Sequence, residues 1–500
     1  MSSAEEKHHT SHDADQSSPV SGSWSKRKTA YLRAVERLAP DWDKWIARNG
    51  YFHGRDAQYM RFLIPEDSRV LELGSATGWL LDELSPAKGV GVDFSAAMTD
   101  QARTKHPRLT FLHGDIEDRE FMASLEGEGP FDYIILSDTV GYLDDIIETL
   151  KSISRLCQPH TRLVVSHYSH LWEPVLRVAE AFGLRKKVNG DYNWLSPADI
   201  EMFLRLSGFE TVKKENRQLL PKRLLGLGTL VNRFIAPLPL IRGLCVRTYA
   251  VARSADAVRA TKPSVSVVVP ARNEQGNIAP AIRRIPDFGA KTEIIFVEGH
   301  SKDGTWDEIL RQKEANPSLD IVAIQQPGKG KADAVWAAFD IARGDILMIL
   351  DGDLTVPPED LGKFYDALAS GTGEFVNGTR LVYPLEKDAM RFLNYLANRT
   401  FARIFSYLLN QRFSDTLCGT KVLYRLDYQR LKAGRAYFGD FDPFGDFDLL
   451  FGAAKLNLKI VEVPVRYEAR AYGETQISRF RHGLLLLQMV VFAFRKLKMI

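Results

Sequence analysis

The chain has 500 residues, of which 45% are hydrophobic and 26% charged, and its formal net charge is +3. This length exceeds what one hydrophobic core supports, so we expect two or three soluble globular domains. The small net charge gives no reason to expect a nucleic-acid partner, and no apolar run is long enough to predict a membrane-spanning helix.

The N-terminal region, residues 1–28, is polar and lacks the apolar core of a signal peptide, so the sequence predicts a disordered tail there. Cys157, Cys245 and Cys418 are widely spaced and match neither a metal-binding knuckle nor a disulfide framework. A reducing, cytoplasmic location is therefore the default expectation.

Five apolar segments alternate with helical patterns in the first half of the chain. They cover residues 68–74, 89–94, 109–115, 131–138 and 161–168. Strands that alternate with helices predict a parallel, doubly wound sheet. We expect this first domain to span residues 29–253.

A glycine-containing turn follows the first of these strands, in the sequence VLELGSATGWL. Gly74 and Gly78 allow a tight turn and a close approach of a ligand to the backbone amides. The second strand ends in Asp93, where a carboxylate is placed to accept hydrogen bonds from both hydroxyls of a ribose. The simpler alternative is a sheet whose glycines only pack against a helix.

This region resembles the class I S-adenosylmethionine-dependent methyltransferases, from about residue 60 to residue 253. The resemblance implies a set of S-adenosylmethionine-binding residues: Glu72 and Gly74 at the methionine end, Gly78 in the loop, Asp93 at the ribose, Asp115 and Ile116 at the adenine, and Ser137 in the pocket wall. Ala76 departs from the family, which usually has glycine there. A non-catalytic version of the domain is an open alternative. His167 and His170 follow the fifth strand and either face the pocket or lie on its polar rim.

A second series of strands begins after a short polar linker, residues 254–263. Its strands are predicted at residues 264–270, 292–299, 319–325 and 345–350. The restart of the strand–helix pattern marks a domain boundary, and we expect the second domain to span residues 264–479.

Two carboxylates, Asp351 and Asp353, directly follow the buried strand around residues 346–350. Side chains at alternate positions of a strand point the same way, so two charges at this strand end would repel each other. A divalent cation with a diphosphate resolves the repulsion, because Mg²⁺ and Mn²⁺ prefer oxygen ligands. The alternative is a pair of acids on a solvated turn.

Residues 264 to about 480 resemble the family 2 glycosyltransferases of the GT-A fold, most closely dolichol-phosphate mannose synthases and other polyprenyl-phosphate sugar transferases. The resemblance implies a nucleotide-sugar site formed by Pro270, Arg272, Glu274, Glu298, Lys329, Lys331 and Asp351, and a metal site formed by Asp351 and Asp353. Glu298 stands where the family usually has Asp, and His300 and Thr475–Gln476 also depart from the pattern. Lys329 and Lys331 open a helix in a position suited to phosphate.

The same resemblance implies an acceptor side of the site. Asp415 would be the catalytic acid/base and, with Asp353, completes the catalytic pair. Arg380, Arg391 and Arg470 match positions that bind a lipid phosphate. The basic apolar helix predicted over residues 388–409 either faces lipid headgroups or packs on its own domain.

Positive charge is concentrated in two stretches. Residues 211–253 carry nine Lys or Arg and one acid, Glu215, and residues 478–500 carry five Lys or Arg and no acid. The sequence predicts an amphipathic helix over residues 480–500 that lies in a membrane interface.

The fold expected from the sequence is α/β, with a Rossmann-like methyltransferase domain followed by a GT-A domain. The resemblances imply a bifunctional enzyme that transfers a sugar from a nucleotide-sugar to a polyprenyl phosphate or glycan, and a methyl group from S-adenosylmethionine, at the inner face of the cell membrane. Mg²⁺ or Mn²⁺ is the implied metal. The alternatives are a glycosyltransferase whose first domain only binds cofactor or docks a partner, and a scaffold with two retired sites.

Overall fold

The computed structural model describes residues 24–184, 192–257, 262–383, 392–437, 446–470, 472 and 479–500. These ranges form two mixed sheets of seven strands each, both flanked by helices. The α/β fold class predicted from the sequence is confirmed.

The first sheet has the order β3-β2-β1-β4-β5-β7-β6. Its strands are β1 (Arg69–Leu73), β2 (Lys88–Asp93), β3 (Thr110–His113), β4 (Tyr133–Ser137), β5 (Arg162–Tyr168), β6 (Phe209–Arg217) and β7 (Arg247–Ser254). Its helices are α1 (Lys26–Leu38), α2 (Trp42–Arg48), α3 (Gly50–Leu63), α4 (Trp79–Leu84), α5 (Ala96–Lys105), α6 (Arg119–Ser124), α7 (Ile146–Arg155), α8 (Glu173–Ala181), α9 (Pro197–Leu206) and α10 (Leu227–Leu230). β1 lies between β2 and β4, both parallel to it, so the chain reverses its direction of winding there.

The second sheet has the order β10-β9-β8-β11-β13-β12-β14. Its strands are β8 (Val265–Ala271), β9 (Thr292–Glu298), β10 (Asp320–Gln325), β11 (Ile346–Ile349), β12 (Phe375–Thr379), β13 (Lys421–Tyr424) and β14 (Ile460–Pro464). Its helices are α11 (Gln275–Arg284), α12 (Thr305–Ala315), α13 (Lys331–Ile341), α14 (Leu361–Ala369), α15 (Phe392–Leu409), α16 (Arg425–Ala433), α17 (Asp446–Lys455) and α18 (Arg479–Leu497). β8 lies between the parallel strands β9 and β11, so this sheet also has a reversal point.

The last residues of the predicted N-terminal tail are folded. Ser25 caps α1 by accepting a hydrogen bond from the Lys28 backbone amide at 3.0 Å, and the Lys28 side chain is buried. A Ser at the N-cap satisfies an amide that has no partner within the helix. Residues 24–28 are therefore part of the folded domain, and residues 1–23 lie outside the described residues.

The C-terminal helix α18 packs on the second domain. One side of it buries Leu486, Met489, Ala493 and Leu497 in the hydrophobic core. The prediction that this helix lies in a membrane interface is wrong for that side, although Leu484, Leu487 and Val491 stay exposed.

Helix α15 also packs on the core of the second domain. Phe405, Leu408 and Leu409 are buried in the same core, which supports the alternative that this helix packs on its own domain. Within the described ranges, no helix combines the length and the apolar character needed to cross a bilayer.

A buried polar network joins the two domains. At the start of β5, Arg162 Nη2 donates to both oxygens of Glu374 at 2.7 Å, and Arg162 Nε donates to the Asn457 carbonyl at 2.7 Å. A second contact pairs Lys498 with Glu215 at 2.6 Å. Buried charges are tolerated only when they are paired and hydrogen-bonded, so these contacts fix how the sheets meet.

Candidate functional sites

A cavity of about 420 Å³ opens at the carboxyl ends of β1, β2 and β4, at the reversal point of the first sheet. Ligands of open α/β sheets bind at this position. Six of the seven residues predicted for the S-adenosylmethionine site line it: Glu72, Gly74, Asp93, Asp115, Ile116 and Ser137. Gly78 does not line the cavity and is instead the N-cap residue of α4.

Glu72 and Asp93 place two buried carboxyl groups in this cavity. Burial raises the pKa of Glu72 to about 8, and Glu72 Oε2 has no hydrogen-bond partner among the described residues. Burial raises the pKa of Asp93 to about 6, although its oxygens accept hydrogen bonds from the amides of Ala76 and Ser95 at 2.8 and 2.9 Å. A ligand that offers a cation to Glu72 and hydroxyls to Asp93 satisfies both groups, which fits S-adenosylmethionine.

The loop after β1 approaches the cavity through its backbone. Gly74 has φ = +84°, and a Cβ atom there would collide with the Thr139 side chain. Ala76 also has a positive φ, of 46°, and its amide is directed at Asp93. Replacement of the family's usual glycine by Ala76 therefore keeps the left-handed backbone, at a cost of about 1 kcal/mol.

Helix α1 closes one side of the cavity, a feature that the sequence did not predict. Lys28 Nζ contacts the Asp115 carboxylate at 2.6 Å and Glu117 at 2.6 Å. Tyr31 stacks between Phe94 and Tyr142, with ring centroids at 5.5 and 4.0 Å. The sequence signal for this helix was the basic and aromatic residues at the end of the predicted tail and directly after it, such as Lys28 and Tyr31.

A buried arginine lies behind the cavity wall. Arg247 is fully buried in an ion pair with Asp138 and donates to both oxygens of Asp56 at 3.1 Å, and both of these acids line the cavity. His53 also lines the cavity, and burial lowers its pKa to about 4, so it is neutral near pH 7. His167 is buried within β5 and is not part of the cavity wall.

The raised pKa of Asp93 predicts how nucleoside binding depends on pH. Adenosine is uncharged and has no methionine group to contact Glu72, so we expect its affinity to fall as the pH drops through about 6, because only the ionised carboxylate accepts both ribose hydrogen bonds. At pH values well below the pKa of Asp93, the affinity for adenosine should fall about tenfold for each pH unit. Calorimetry between about pH 5 and pH 8 measures it.

Asp93→Asn is the control, because it removes the titrating group and should give weak, pH-independent binding. Equal adenosine affinity at both ends of that pH range in the unchanged protein would contradict a role of Asp93 at the ribose.

In the second domain, Asp351 and Asp353 lie in the turn after β11, beside β8 at the reversal point of the sheet. The two carboxylates face different cations. Lys331, the first residue of α13, contacts Asp351 at 2.5 Å, and Arg470 contacts Asp353 at 2.6 Å. A Cβ atom at Gly419 would collide with the Asp351 carboxylate, so glycine is needed for this packing.

The donor set around this turn suits a hard divalent cation that also binds phosphate. Asp351 and Asp353 are partly exposed, with side-chain accessibilities of 24% and 16%, so their oxygens can be reached. In the part of the chain that the structure describes, no group of three or more His, Cys, Asp or Glu forms a complete metal cage. A metal held here would take its remaining ligands from phosphates or water, as Mg²⁺ commonly does.

The other residues predicted for the nucleotide surround the same edge of the sheet. Glu274 also contacts Arg470, at 3.4 Å, and burial raises the pKa of Glu274 to about 7. Glu298, at the end of β9, accepts a hydrogen bond from the Ser301 amide at 2.5 Å. Pro270 is half-buried at the end of β8, and the side chains of Arg272 and Lys329 are exposed.

The structure argues against the predicted role of Asp415 as a base. Asp415 is fully buried, and it accepts hydrogen bonds from Arg380 Nε at 2.7 Å, Arg380 Nη2 at 3.0 Å, Asn398 Nδ2 at 2.9 Å and the Leu417 amide at 2.9 Å. The Arg380 guanidinium and these donors hold its pKa below the usual range, against the effect of burial. Asp415 is therefore suited to position Arg380. Arg391 lies outside the described residues.

Each half of the chain matches the model of a known family. Residues 24–214 match the model described as "Methyltransferase domain", and residues 266–425 match "Glycosyl transferase family 2". The first match lies in the part of the chain that forms the first sheet, and the second match lies in the part that forms the second sheet.

The second half is similar to characterised sugar transferases. A dolichol-phosphate mannosyltransferase of Saccharomyces cerevisiae is 34% identical over 120 residues, which are 23% of this chain and 44% of that protein. An undecaprenyl-phosphate 4-deoxy-4-formamido-L-arabinose transferase of Edwardsiella ictaluri is 32% identical over 221 residues, which are 42% of this chain and 62% of that protein. The chain thus spans about half the length of these relatives.

Two solved structures are each similar to a part of the chain. A SAM-dependent methyltransferase of Thermotoga maritima has 18% identity and a TM-score of 0.34, and the match covers 45% of this chain and all of that one. Glucosyl-3-phosphoglycerate synthase of Mycobacterium tuberculosis, solved with Mn²⁺ and UDP, has 18% identity and a TM-score of 0.34, and the match covers 47% and 80% of the two chains.

Proposed function

We propose that the chain, which carries a methyltransferase domain followed by a family 2 glycosyltransferase domain, is a bifunctional enzyme of cell-envelope glycan synthesis. Its second domain transfers a sugar from a nucleotide-sugar to a lipid phosphate or a glycan, with inversion at the sugar. Its first domain transfers a methyl group from S-adenosylmethionine. Similarity to transferases named for dolichol phosphate and undecaprenyl phosphate supports the lipid acceptor.

The observation that carries the sugar-transfer proposal is the pairing at the reversal point of the second sheet. Asp351 and Asp353 lie together, and each has a cationic side chain within contact distance. An isolated pair of acids on a solvated turn would not need Lys331 and Arg470 beside it. The arrangement provides carboxylates for a metal and cations for phosphates at one place.

A divalent cation bound by Asp351 and Asp353 would neutralise the charge that develops on the departing nucleoside diphosphate. Lys331 lies at the N-terminus of α13, where the backbone amides and a cation favour the same diphosphate. Lys331 and Arg470, which contact these two carboxylates, would also be placed to contact the phosphates of donor and acceptor.

The buried state of Asp415 favours a phosphate acceptor over a hydroxyl. A phosphate oxygen is already ionised and attacks the anomeric carbon without a base, whereas a hydroxyl needs a proton acceptor. Asp415 is saturated by its hydrogen bonds and has a lowered pKa, so it is poorly suited to take that proton. Its ion pair instead orients Arg380 for an anionic acceptor.

The first domain would act mainly by alignment, because transfer from a sulfonium requires the acceptor atom in line with the methyl group. Glu72 and Asp93 are placed to hold the cofactor at its methionine and ribose ends. The intact cavity favours this function over a domain retained only for docking. We place the enzyme in the cytoplasm, peripheral to the inner face of the membrane, where a polyprenyl phosphate is accessible.

An assay with purified protein tests the sugar-transfer proposal. We expect the full chain, with Mn²⁺ and undecaprenyl phosphate in detergent, to convert at least one member of a panel of UDP- and GDP-sugars to a lipid-linked product, detected by mass spectrometry. The product should disappear when the metal is removed by a chelator.

Transfer that is unchanged after chelation would contradict the metal role. Transfer to a glycan but never to the lipid phosphate would contradict the preferred acceptor and leave the sugar-transfer reaction in place.

A further inference from the structure

Two stretches of the first domain, residues 171–184 and 221–244, present large apolar side chains to solvent. We call them together the apolar rim. Its exposed large apolar side chains are Leu171, Val175, Val178, Phe182, Leu184, Leu224, Leu225, Leu227, Leu230, Phe234, Ile235, Leu238, Leu240 and Leu244. Soluble proteins rarely expose apolar residues at this density unless the surface binds something.

The two stretches are neighbours and border the cofactor cavity. Trp172 Nε1 donates a hydrogen bond to the Leu244 carbonyl at 2.8 Å. Leu176 from the first stretch and Pro221 and Lys222 from the second are part of the cavity wall. The apolar rim therefore surrounds part of the mouth through which a methyl acceptor reaches the cofactor.

The second stretch is held in place with its leucines directed outward. Leu225 is fully exposed although its backbone has φ = 53°, a conformation that is costly for leucine. Buried Asn232 fixes the stretch through hydrogen bonds to the Leu220 backbone at 3.0 and 2.7 Å. Strained, well-anchored segments of this kind are found where a protein binds or acts.

The charge around the apolar rim identifies what covers it. In the second stretch, Lys222, Arg223 and Arg233 are exposed beside the leucines, and the sequence has no Asp or Glu between residues 216 and 255. The first stretch carries two acids, Glu173 and Glu180, and Arg177, which pairs with Glu173, so the cations of the apolar rim lie in its second stretch. Projecting apolar side chains flanked by cations match the interface of an anionic bilayer. A second copy of the chain would bring like charges together, which disfavours self-association through this surface.

We propose that the apolar rim docks the first domain on an anionic lipid surface, so that the cofactor cavity opens at the bilayer. The leucine tips enter the boundary between headgroups and acyl chains, and the cations contact lipid phosphates. The docking face thus belongs to the methyltransferase domain and is distinct from the C-terminal helix that the sequence suggested.

Vesicle sedimentation with the full chain tests the proposal. We expect binding to phosphatidylcholine vesicles that contain phosphatidylglycerol, weaker binding to phosphatidylcholine alone, and loss of affinity at high salt. The double variant Leu225→Glu/Leu240→Glu should lower partitioning at least about tenfold, because both side chains leave the apolar phase.

Leu426→Glu is the matched control. Leu426 is an exposed leucine too, at 65%, but it lies in the second domain. The Leu426→Glu protein should bind vesicles as the unchanged protein does. Binding of S-adenosylhomocysteine verifies that the double variant is folded, because neither Leu225 nor Leu240 lines the proposed cofactor cavity.

The proposal is overturned if the protein ignores anionic vesicles or if the double variant binds them normally. A dimer in lipid-free buffer that the double variant dissociates, together with no vesicle binding, would assign the apolar rim to a second copy instead. Vesicle binding requires neither transfer reaction. Failure of this proposal therefore leaves both proposed transfer reactions standing, although not the proposed place of the enzyme at the membrane, and failure of either transfer reaction leaves this proposal standing.

Discussion

Replacement of Glu374 by Gln is expected to lower the free energy of unfolding by about 3–5 kcal/mol, because it leaves the Arg162 guanidinium buried without its counter-ion. Glu374 receives two 2.7 Å hydrogen bonds from Arg162 and one of 2.8 Å from the Lys459 amide. Gln preserves the shape of the side chain, so the loss of stability measures the effect of removing the negative charge. Denaturant or thermal unfolding measures it.

Glu359→Gln provides the control for this substitution. Glu359 pairs with Arg284 at 2.8 Å on the surface of the second domain and is 55% exposed, so its loss should cost less than about 1 kcal/mol. Equal effects of the two substitutions would contradict the view that the Arg162–Glu374 pair holds the two domains together.

Replacement of Asp353 by Asn is expected to lower sugar transfer roughly 100-fold or more, because the site loses a charged ligand of the metal that stabilises the leaving diphosphate. Folding should persist, because Asn keeps an oxygen that can accept the hydrogen bonds of the Thr355 amide and hydroxyl at 3.2 and 2.9 Å. Initial rates with saturating donor, and thermal unfolding of the same preparation, separate these effects.

Asp366→Asn is the matched control, because it makes the same chemical change at an exposed position of α14. It should leave the transfer rate within about twofold. An Asp353→Asn protein that is as active as the Asp366→Asn protein would remove the turn after β11 from the mechanism.

Features that arise from local sequence were predicted well. Alternation of apolar segments with helices predicted five strands of the first sheet and four of the second, but not the remaining strands, among them β7 and β13, which pair antiparallel to their neighbours. The turn residues Gly74, Asp93, Asp351 and Asp353 lie at the strand ends where parallel sheets place their ligands. The signal is local in each case, because strand period and turn chemistry are set by neighbouring residues.

Features that depend on distant partners were not predicted. The Arg162–Glu374 pair joins residues 212 positions apart, and the saturation of Asp415 by Arg380 depends on the packing of two loops. The C-terminal helix shows the same limit, because an apolar stripe does not say whether protein or lipid covers it. Only the folded chain shows which stripe remains exposed.

The proposed enzyme has two ligand sites in one chain, and calorimetric titration tests that claim most directly. Titrating the full chain with S-adenosylhomocysteine, and separately with UDP or GDP in the presence of Mn²⁺, should give binding in both experiments. Asp353→Asn should lose the metal-dependent nucleotide binding and keep the S-adenosylhomocysteine binding. Nucleotide binding that needs neither Mn²⁺ nor Asp353, or a chain that binds no S-adenosylhomocysteine, would contradict the account.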